Sequence, residues 1–201
     1  MRGTAEMARP ELTFPDTEAA AVRAAYDAAG VILEYGSGGS TVMAAEMAGK
    51  RVFAVESGRD WALMMRAWFD ASPPAAGTEV DVIWSDIGPT REWGYPTGND
   101  SWTRYARYPL EVWDLPEFRQ PDVVLVDGRF RPGCALAAAF RTDRPVTVLI
   151  DDYKRRKQYH AVERFLGAPH RLHGRMAEFH VTPMPVPADR LLTIIEMMTR
   201  P

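Results

Sequence analysis

Val31-Ile32-Leu33-Glu34-Tyr35-Gly36-Ser37-Gly38-Gly39-Ser40-Thr41 is the stretch on which the fold turns. A short apolar run ends in an acid, a glycine-rich turn follows, and a helix begins. Glycines let a backbone turn sharply and approach a ligand closely. The start of the next helix presents free N–H groups and the positive end of its dipole. Glu56 stands 22 residues beyond Glu34, at the end of a second apolar strand over residues 51–55. In Rossmann-like folds an acid at that distance grips a ribose. Turn and acid together point to a nucleoside cofactor.

The other segments supply the alternation such a fold needs. Residues 16–29 read as a helix capped at Asp16 or Thr17 and stopped by Gly30, and residues 40–48 as a second, stopped by Gly49. Ser57-Gly58-Arg59-Asp60 reads as a capping-box variant opening a third helix, which Pro73-Pro74 forbids beyond residue 71. Strands are expected over 78–84, 123–126 and 146–150, a short helix over 109–118, and helices over 134–141 and 154–166. Residues 171–182 and 191–198 read as two closing strands. Their proline-rich linker, 183–189, is too short and too rich in proline for a crossover helix, so they should pair antiparallel. The expectation is an α/β Rossmann-like three-layer sandwich, a mostly parallel seven-stranded sheet with an antiparallel last strand.

Composition sets outer bounds. A chain of 201 residues suits one domain, with residues 1–14 as a loose arm. Hydrophobic residues at 46% and charged residues at 25% are those of a soluble globular protein. The formal charge of −3 gives no reason to expect nucleic acid or an anionic membrane as partner. Cys134, the only cysteine, rules out an internal disulfide and a Cys-based zinc cluster, and its Ala-rich surroundings suggest a buried, inert thiol. No apolar run approaches the ~18 residues of a membrane span. The polar N-terminus lacks a leader's apolar stretch, so the expected location is cytoplasmic.

Which cofactor follows from the glycines. A dinucleotide turn needs G-x-G-x-x-G, and the sixth position counted from Gly36 is Thr41. No G-x-x-x-x-G-K-[ST] motif occurs, which removes P-loop chemistry. An acid followed by G-x-G, here Glu34, Gly36 and Gly38, resembles the first motif of class I S-adenosylmethionine-dependent methyltransferases, with Ser40 at the third small position. The resemblance extends over residues 31–198. It implies that Glu56 binds the ribose hydroxyls, that Asp86 after strand three meets the adenine, that Glu34 accepts from the ligand ammonium or a water beside it, that the backbone of Gly36, Ser37 and Gly38 follows the methionine part, and that Asp127 also borders the cofactor. It implies S-adenosylmethionine as cofactor and methyl transfer to oxygen or nitrogen of a small-molecule acceptor. Two alternatives stand beside it: a non-catalytic S-adenosylmethionine-binding domain, and an NAD-dependent oxidoreductase, which Thr41 and the closing strand pair disfavour.

Chemistry is expected at the later strand ends. Asp127 ends strand four, next to where the methyl group would lie, and Asp151 and Asp152 end strand five. The pattern is similar to that of cation-dependent O-methyltransferases of the catechol type, which carry Asp-Asn where this chain has Asp151-Asp152. Three carboxylates offer oxygen to a hard divalent cation, while Arg129 and Arg131 offer them a salt-bridge network instead; the residues alone do not choose. Arg129 and Arg131, with Arg155 or Arg156, also suit an anionic acceptor. Asp127-Gly128-Arg129-Phe130 is not the Asn/Asp-Pro-Pro-Tyr of base-methylating enzymes. Residues 154–157 read as a solvated basic helix start, although four cations there oppose the helix dipole. The irregular segment 88–108, with Trp93 and Trp102 among its aromatics, reads either as a substrate-stacking lid or as a flap over the sheet edge. Tyr153 is expected to line the pocket and the 183–187 turn to border its rim. The four histidines match no common ligand spacing, and His180 reads as structural.

Overall fold

The computed structural model describes residues 8–201. Seven strands form one sheet: β1 (Val31–Tyr35), β2 (Arg51–Glu56), β3 (Glu79–Trp84), β4 (Val123–Val126), β5 (Val146–Ile150), β6 (Arg171–His173) and β7 (Met176–Val181), in the order β3-β2-β1-β4-β5-β7-β6. The first five run parallel. β7 is antiparallel to both neighbours, so β6 points the same way as the first five. The helices are α1 (Asp16–Ala28), α2 (Gly39–Ala45), α3 (Arg59–Ala71), α4 (Arg107–Leu110), α5 (Arg131–Arg141), α6 (Glu163–Leu166) and α7 (Leu191–Thr199).

Alternation along each strand divides the core in two. Leu33, Tyr35, Val124, Val126, Val148 and Ile150 face α5 and α7. Ile32, Leu125 and Leu149 face α1 and α2. Full burial of each such aliphatic contributes about 1.5–3 kcal/mol, against about 0–1 for an exposed ion pair, so the two apolar layers hold the sheet. Gly133 lets α5 and α7 touch: a methyl there would lie 2.7 Å from the Met197 carbonyl oxygen. Cys134 is fully buried on the same helix, and burial pushes its thiol pKa up.

The closing elements differ from the sequence expectation. The expected strand over 171–182 is a hairpin, β6 and β7, turning at Gly174 with φ +58°. The expected last strand over 191–198 is α7. Ile194, Met197 and Met198 recur at helical spacing and bury against α5, and this period outweighs the β-branched content of the segment. The sheet therefore keeps one reversed strand, built from other residues. Residues 154–166 form two 3₁₀ turns and only a short α6, consistent with four cations being unfavourable at a helix start. Ser57 makes no capping box; Glu56 accepts the Gly58 N–H instead. Of the expected N-terminal arm, residues 1–7 lie outside the described residues. Residues 8–13 have no regular structure, yet Phe14 is buried against α1, and Glu11 and Leu12 pass so close over Gly39 that a side chain there would clash with their backbone.

Candidate functional site

A cleft of about 1280 Å³ opens at the carboxyl ends of β1, β2, β3 and β4. Its position is the switch point where the chain order reverses between β1 and β4. Gly36 makes the first bend with φ +105°, and a methyl on it would lie 2.9 Å from the Gly128 nitrogen. Only glycine allows the β1 and β4 turns to approach this closely. Gly38 is different: a methyl there would meet nothing within 4 Å, because it faces the open cleft. Residues 10–14 form part of the wall.

Glu56 is buried at the cleft floor. Its Oε1 accepts the Gly58 N–H at 2.8 Å, and its Oε2 accepts the Ser37 N–H at 3.3 Å and hydroxyl at 3.2 Å. Burial raises its pKa, and the donated N–H groups of Gly58 and Ser37 pull the other way. Trp61 closes over the turn by donating Nε1–H to the Ser37 carbonyl at 2.9 Å. Trp84 also lines this side. Asp86 lies at the same rim, accepting the Gly88 N–H at 2.9 Å and pairing with Arg104 at 2.9 Å. Segment 88–108 is anchored beside it. Tyr105 and Tyr108 pack on Phe130, and the Ser57 hydroxyl donates to the Gly94 carbonyl at 3.0 Å.

At the other end Asp127 lines the cleft, its side chain 34% exposed. Arg131, buried at the start of α5, reaches its carboxylate at 3.2 Å and donates to the carbonyls of Gly128, Asp151 and Asp127. Asp151 is buried behind it, gripped by the Arg175 fork with Nε and Nη2 each at 2.9 Å. Asp152 lies 3.3 Å from Arg175 and 3.7 Å from Arg131. The two acids are driven apart. Burial pushes Asp127 up to about 7, with Arg131 opposing and the Asp151 and Asp152 carboxylates adding to it. Burial also disfavours the Asp151 charge, but the Arg175 and Arg131 guanidiniums hold its pKa below the ordinary value. Such a split separates a group that stays ionised from one that changes protonation near neutral pH. Phe130 (φ +51°) and Asp152 (φ +58°) are left-handed non-glycine residues flanking the network, and strain of this kind concentrates at functional turns.

These carboxylates do not fit a divalent cation. Two guanidiniums already lie among them, and their ligand atoms do not all come within 4.8 Å of one another. Among the described residues the group that does is His170, Glu178 and His180, on the sheet edge outside the cleft. The three sit near one another because β7 places Glu178 and His180 on one face, where His180 bonds Glu178 and His170 stacks on His180 with ring centroids 4.0 Å apart.

A second cavity, of about 230 Å³, meets the cleft at Gly128 and Arg129, which line both. Arg129 lies 4.0 Å above the Tyr95 ring.

The cleft thus gathers Gly36, Ser37, Gly38, Glu56, Asp86, Trp93, Asp127 and Arg129. It does not gather Glu34, Asp151, Asp152, Trp102 or Tyr153. Glu34 is not the end of its strand. The pleat turns it to the other face, where it is fully buried and accepts the Tyr26 and Thr41 hydroxyls, each at 2.5 Å. Tyr153 is buried, donating to Glu163 at 2.5 Å and stacked on His160. Trp102 is 61% exposed outside the cleft. The 183–187 turn lies at the opposite edge, because reversed β7 exits there. Arg155 and Arg156 are exposed, and only Arg156 borders the second cavity. Residues missed from sequence include Thr41, whose hydroxyl also accepts the Gly38 N–H at 3.0 Å, and Arg175, which no local pattern connects to Asp151. Trp61, five residues beyond Glu56, was in principle findable as an exposed aromatic on the first turn of α3.

The fold and cleft define a Rossmann-like α/β protein built to hold an adenosyl-type ligand across its switch point. Among solved structures, a methyltransferase-like protein from Silicibacter pomeroyi is 59% identical over 98% of this chain and 100% of its own, with a TM-score of 0.93. The chain belongs to the same methyltransferase-like family. The O-methyltransferase TomG from Streptomyces achromogenes, solved in complex with SAM, shares the fold at a TM-score of 0.55 and 17% identity over 86% of this chain and 82% of its own. An O-methyltransferase from Bacillus cereus, in complex with SAH, does so at 0.51 and 14% over 84% and 82%. No protein-family model and no curated protein matches the chain. No helix among the described residues is long and apolar enough to cross a membrane.

Proposed function

We propose that the chain is a cytoplasmic enzyme that uses S-adenosylmethionine to methylate an oxygen or nitrogen of a small-molecule acceptor. The observation carrying this is the convergence, in one cleft, of the Gly36–Gly38 turn, the Glu56 carboxylate and the Asp127 carboxyl. Glu56 accepts the ribose hydroxyls, a bidentate role suited to its two oxygens. Asp86 stands on the adenine side. The Ser37 and Gly38 backbone follows the methionine part, and Glu34 holds that backbone from behind through Thr41.

The bound cofactor supplies a methyl carbon on a sulfonium. Held by Glu56, Asp86 and the Gly36–Gly38 turn, the cofactor would offer that carbon to an acceptor lone pair, with the carbon–sulfur electron pair leaving on sulfur. Asp127 takes the acceptor proton, and its pKa near 7 suits a group that must be unprotonated first and protonated afterwards. Arg131 and Arg175 hold the surrounding charges fixed, so positioning and preorganisation do the remainder.

Thermal shift with S-adenosylmethionine, S-adenosylhomocysteine and NAD, each supplied separately, tests the reading. A ligand at 100 times its dissociation constant adds about 2.7 kcal/mol to stability. Both adenosyl ligands should raise the melting temperature of the natural chain and leave Glu56→Ala little changed. A shift with NAD alone would overturn the proposal, and an undiminished shift in Glu56→Ala would remove Glu56 from the site.

A further inference from the structure

The second cavity has a composition the cofactor does not explain. Its wall carries five guanidiniums, Arg129, Arg131, Arg156, Arg164 and Arg200, against one acidic side chain, Glu196. Arg131 is committed to Asp127, Asp151 and Asp152. Among the described residues the other four form no ion pair within 4.0 Å. Arg129 Nε is buried with no hydrogen-bond partner among the described residues. A buried donor left unpaired costs about 1–3 kcal/mol, and more when charged, so a chain retains one where a ligand oxygen will meet it. Stacking on Tyr95 at 4.0 Å fixes the plane of that guanidinium. The cavity also stands in the right place. It joins the cleft at Gly128 and Arg129, immediately after Asp127.

We infer that this cavity binds the methyl acceptor through an oxyanion, carboxylate or phosphate, that pairs with the Arg129 fork and the neighbouring arginines. This rests on the methyl-transfer reading and adds the acceptor's charge to it. Planar guanidiniums recognise both oxyanions through paired N–H donors. The cavity volume, about 230 Å³, is below the ~300–1,000 Å³ of drug-sized sites, which favours an acceptor of about one ring and one anionic group. The anion seats among the arginines, and the nucleophilic hydroxyl or amino group points back to Asp127.

Calorimetric titration of the protein saturated with S-adenosylhomocysteine tests this, with benzoate, phenyl phosphate and neutral benzyl alcohol as probes. At least one anionic probe should bind about tenfold or more tightly than benzyl alcohol, the equivalent of one charge-assisted contact. Arg129→Gln and Arg164→Glu should each weaken that probe by a similar factor, and Arg164→Glu, which lies outside the cleft, should leave S-adenosylhomocysteine affinity unchanged. Arg164 is exposed, so its variant stays folded even where Arg129→Gln does not. Binding of benzoate alone identifies a carboxylate acceptor, and binding of phenyl phosphate alone identifies a phosphate ester. Equal binding of all three probes, or anion binding indifferent to Arg164→Glu, overturns the inference. Failure of the natural chain to bind S-adenosylhomocysteine would instead overturn the cofactor reading beneath it.

Discussion

Asp127→Asn should make the protein more stable and less active at once. The folded chain holds the Asp127 proton up to about pH 7, whereas the unfolded chain releases it near the ordinary value of 3.8. A raised folded pKa contributes stability that is complete below the unfolded value and is lost as pH rises through the folded one. At about 1.4 kcal/mol per pH unit, that separation sets an upper limit of about 4 kcal/mol. The side chain is 34% exposed, and solvent screening brings the figure to about 2 kcal/mol. Asparagine cannot ionise, keeps the shape, and leaves Arg131 its bond to the residue 127 carbonyl at 2.7 Å. Urea unfolding at pH 5 and pH 8 measures the effect. The variant should exceed the natural chain by about 2 kcal/mol at pH 8 and by clearly less at pH 5. Methyl transfer in the natural chain should fall about tenfold per pH unit below 7, and the variant should lose about 10²–10⁴ in rate. Parallel stability curves for the two proteins across this pH range would refute the reasoning, because they would show that Asp127 ionises freely in the folded state.

Two further substitutions separate the site from its scaffold. Gly38→Ala places a methyl in the open cleft, so it should lower S-adenosylhomocysteine affinity about tenfold or more while the unfolding free energy from urea titration stays within about 0.5 kcal/mol; intact affinity would show that no ligand passes Gly38. Thr41→Val keeps the volume but removes the hydroxyl bridging Glu34 and Gly38, leaving a buried carboxylate short of a donor, so unfolding should show a loss of about 1–3 kcal/mol, and an unchanged midpoint would rule out that bridge as a support.

The alternating pattern from residue 16 to residue 150 was readable because each element announces itself locally, by helical period, apolar run or glycine stop. Glu56 was readable as a cleft residue because it ends β2 and remains at the rim. Glu34 was not, because β1 continues one residue further, to Tyr35, and that single step puts the carboxylate on the opposite face. The missing third glycine of the dinucleotide pattern was counted at position 41, while close approach occurs at Gly39, under residues that lie far outside the motif. Arg175 and the basic wall of the second cavity depend on contacts across long stretches of chain, from Asp151 to Arg175 and from Arg129 to Arg164, which no window of sequence displays.

The one reversed strand has an electrostatic consequence. Parallel strands all deliver their last residues to the same rim, and here those ends bring Glu56, Asp127, Asp151 and Asp152 together. A wholly parallel sheet offers that rim only strand exits. β7 is the single strand that enters there, beside the end of β5, and the residue leading into it is Arg175. Reversing one strand thus imports a cation from a distant part of the chain to the acids at the end of β5. The direction of a strand, ordinarily a matter of hydrogen-bond geometry, here sets which of two neighbouring acids stays charged and which is left to carry a proton.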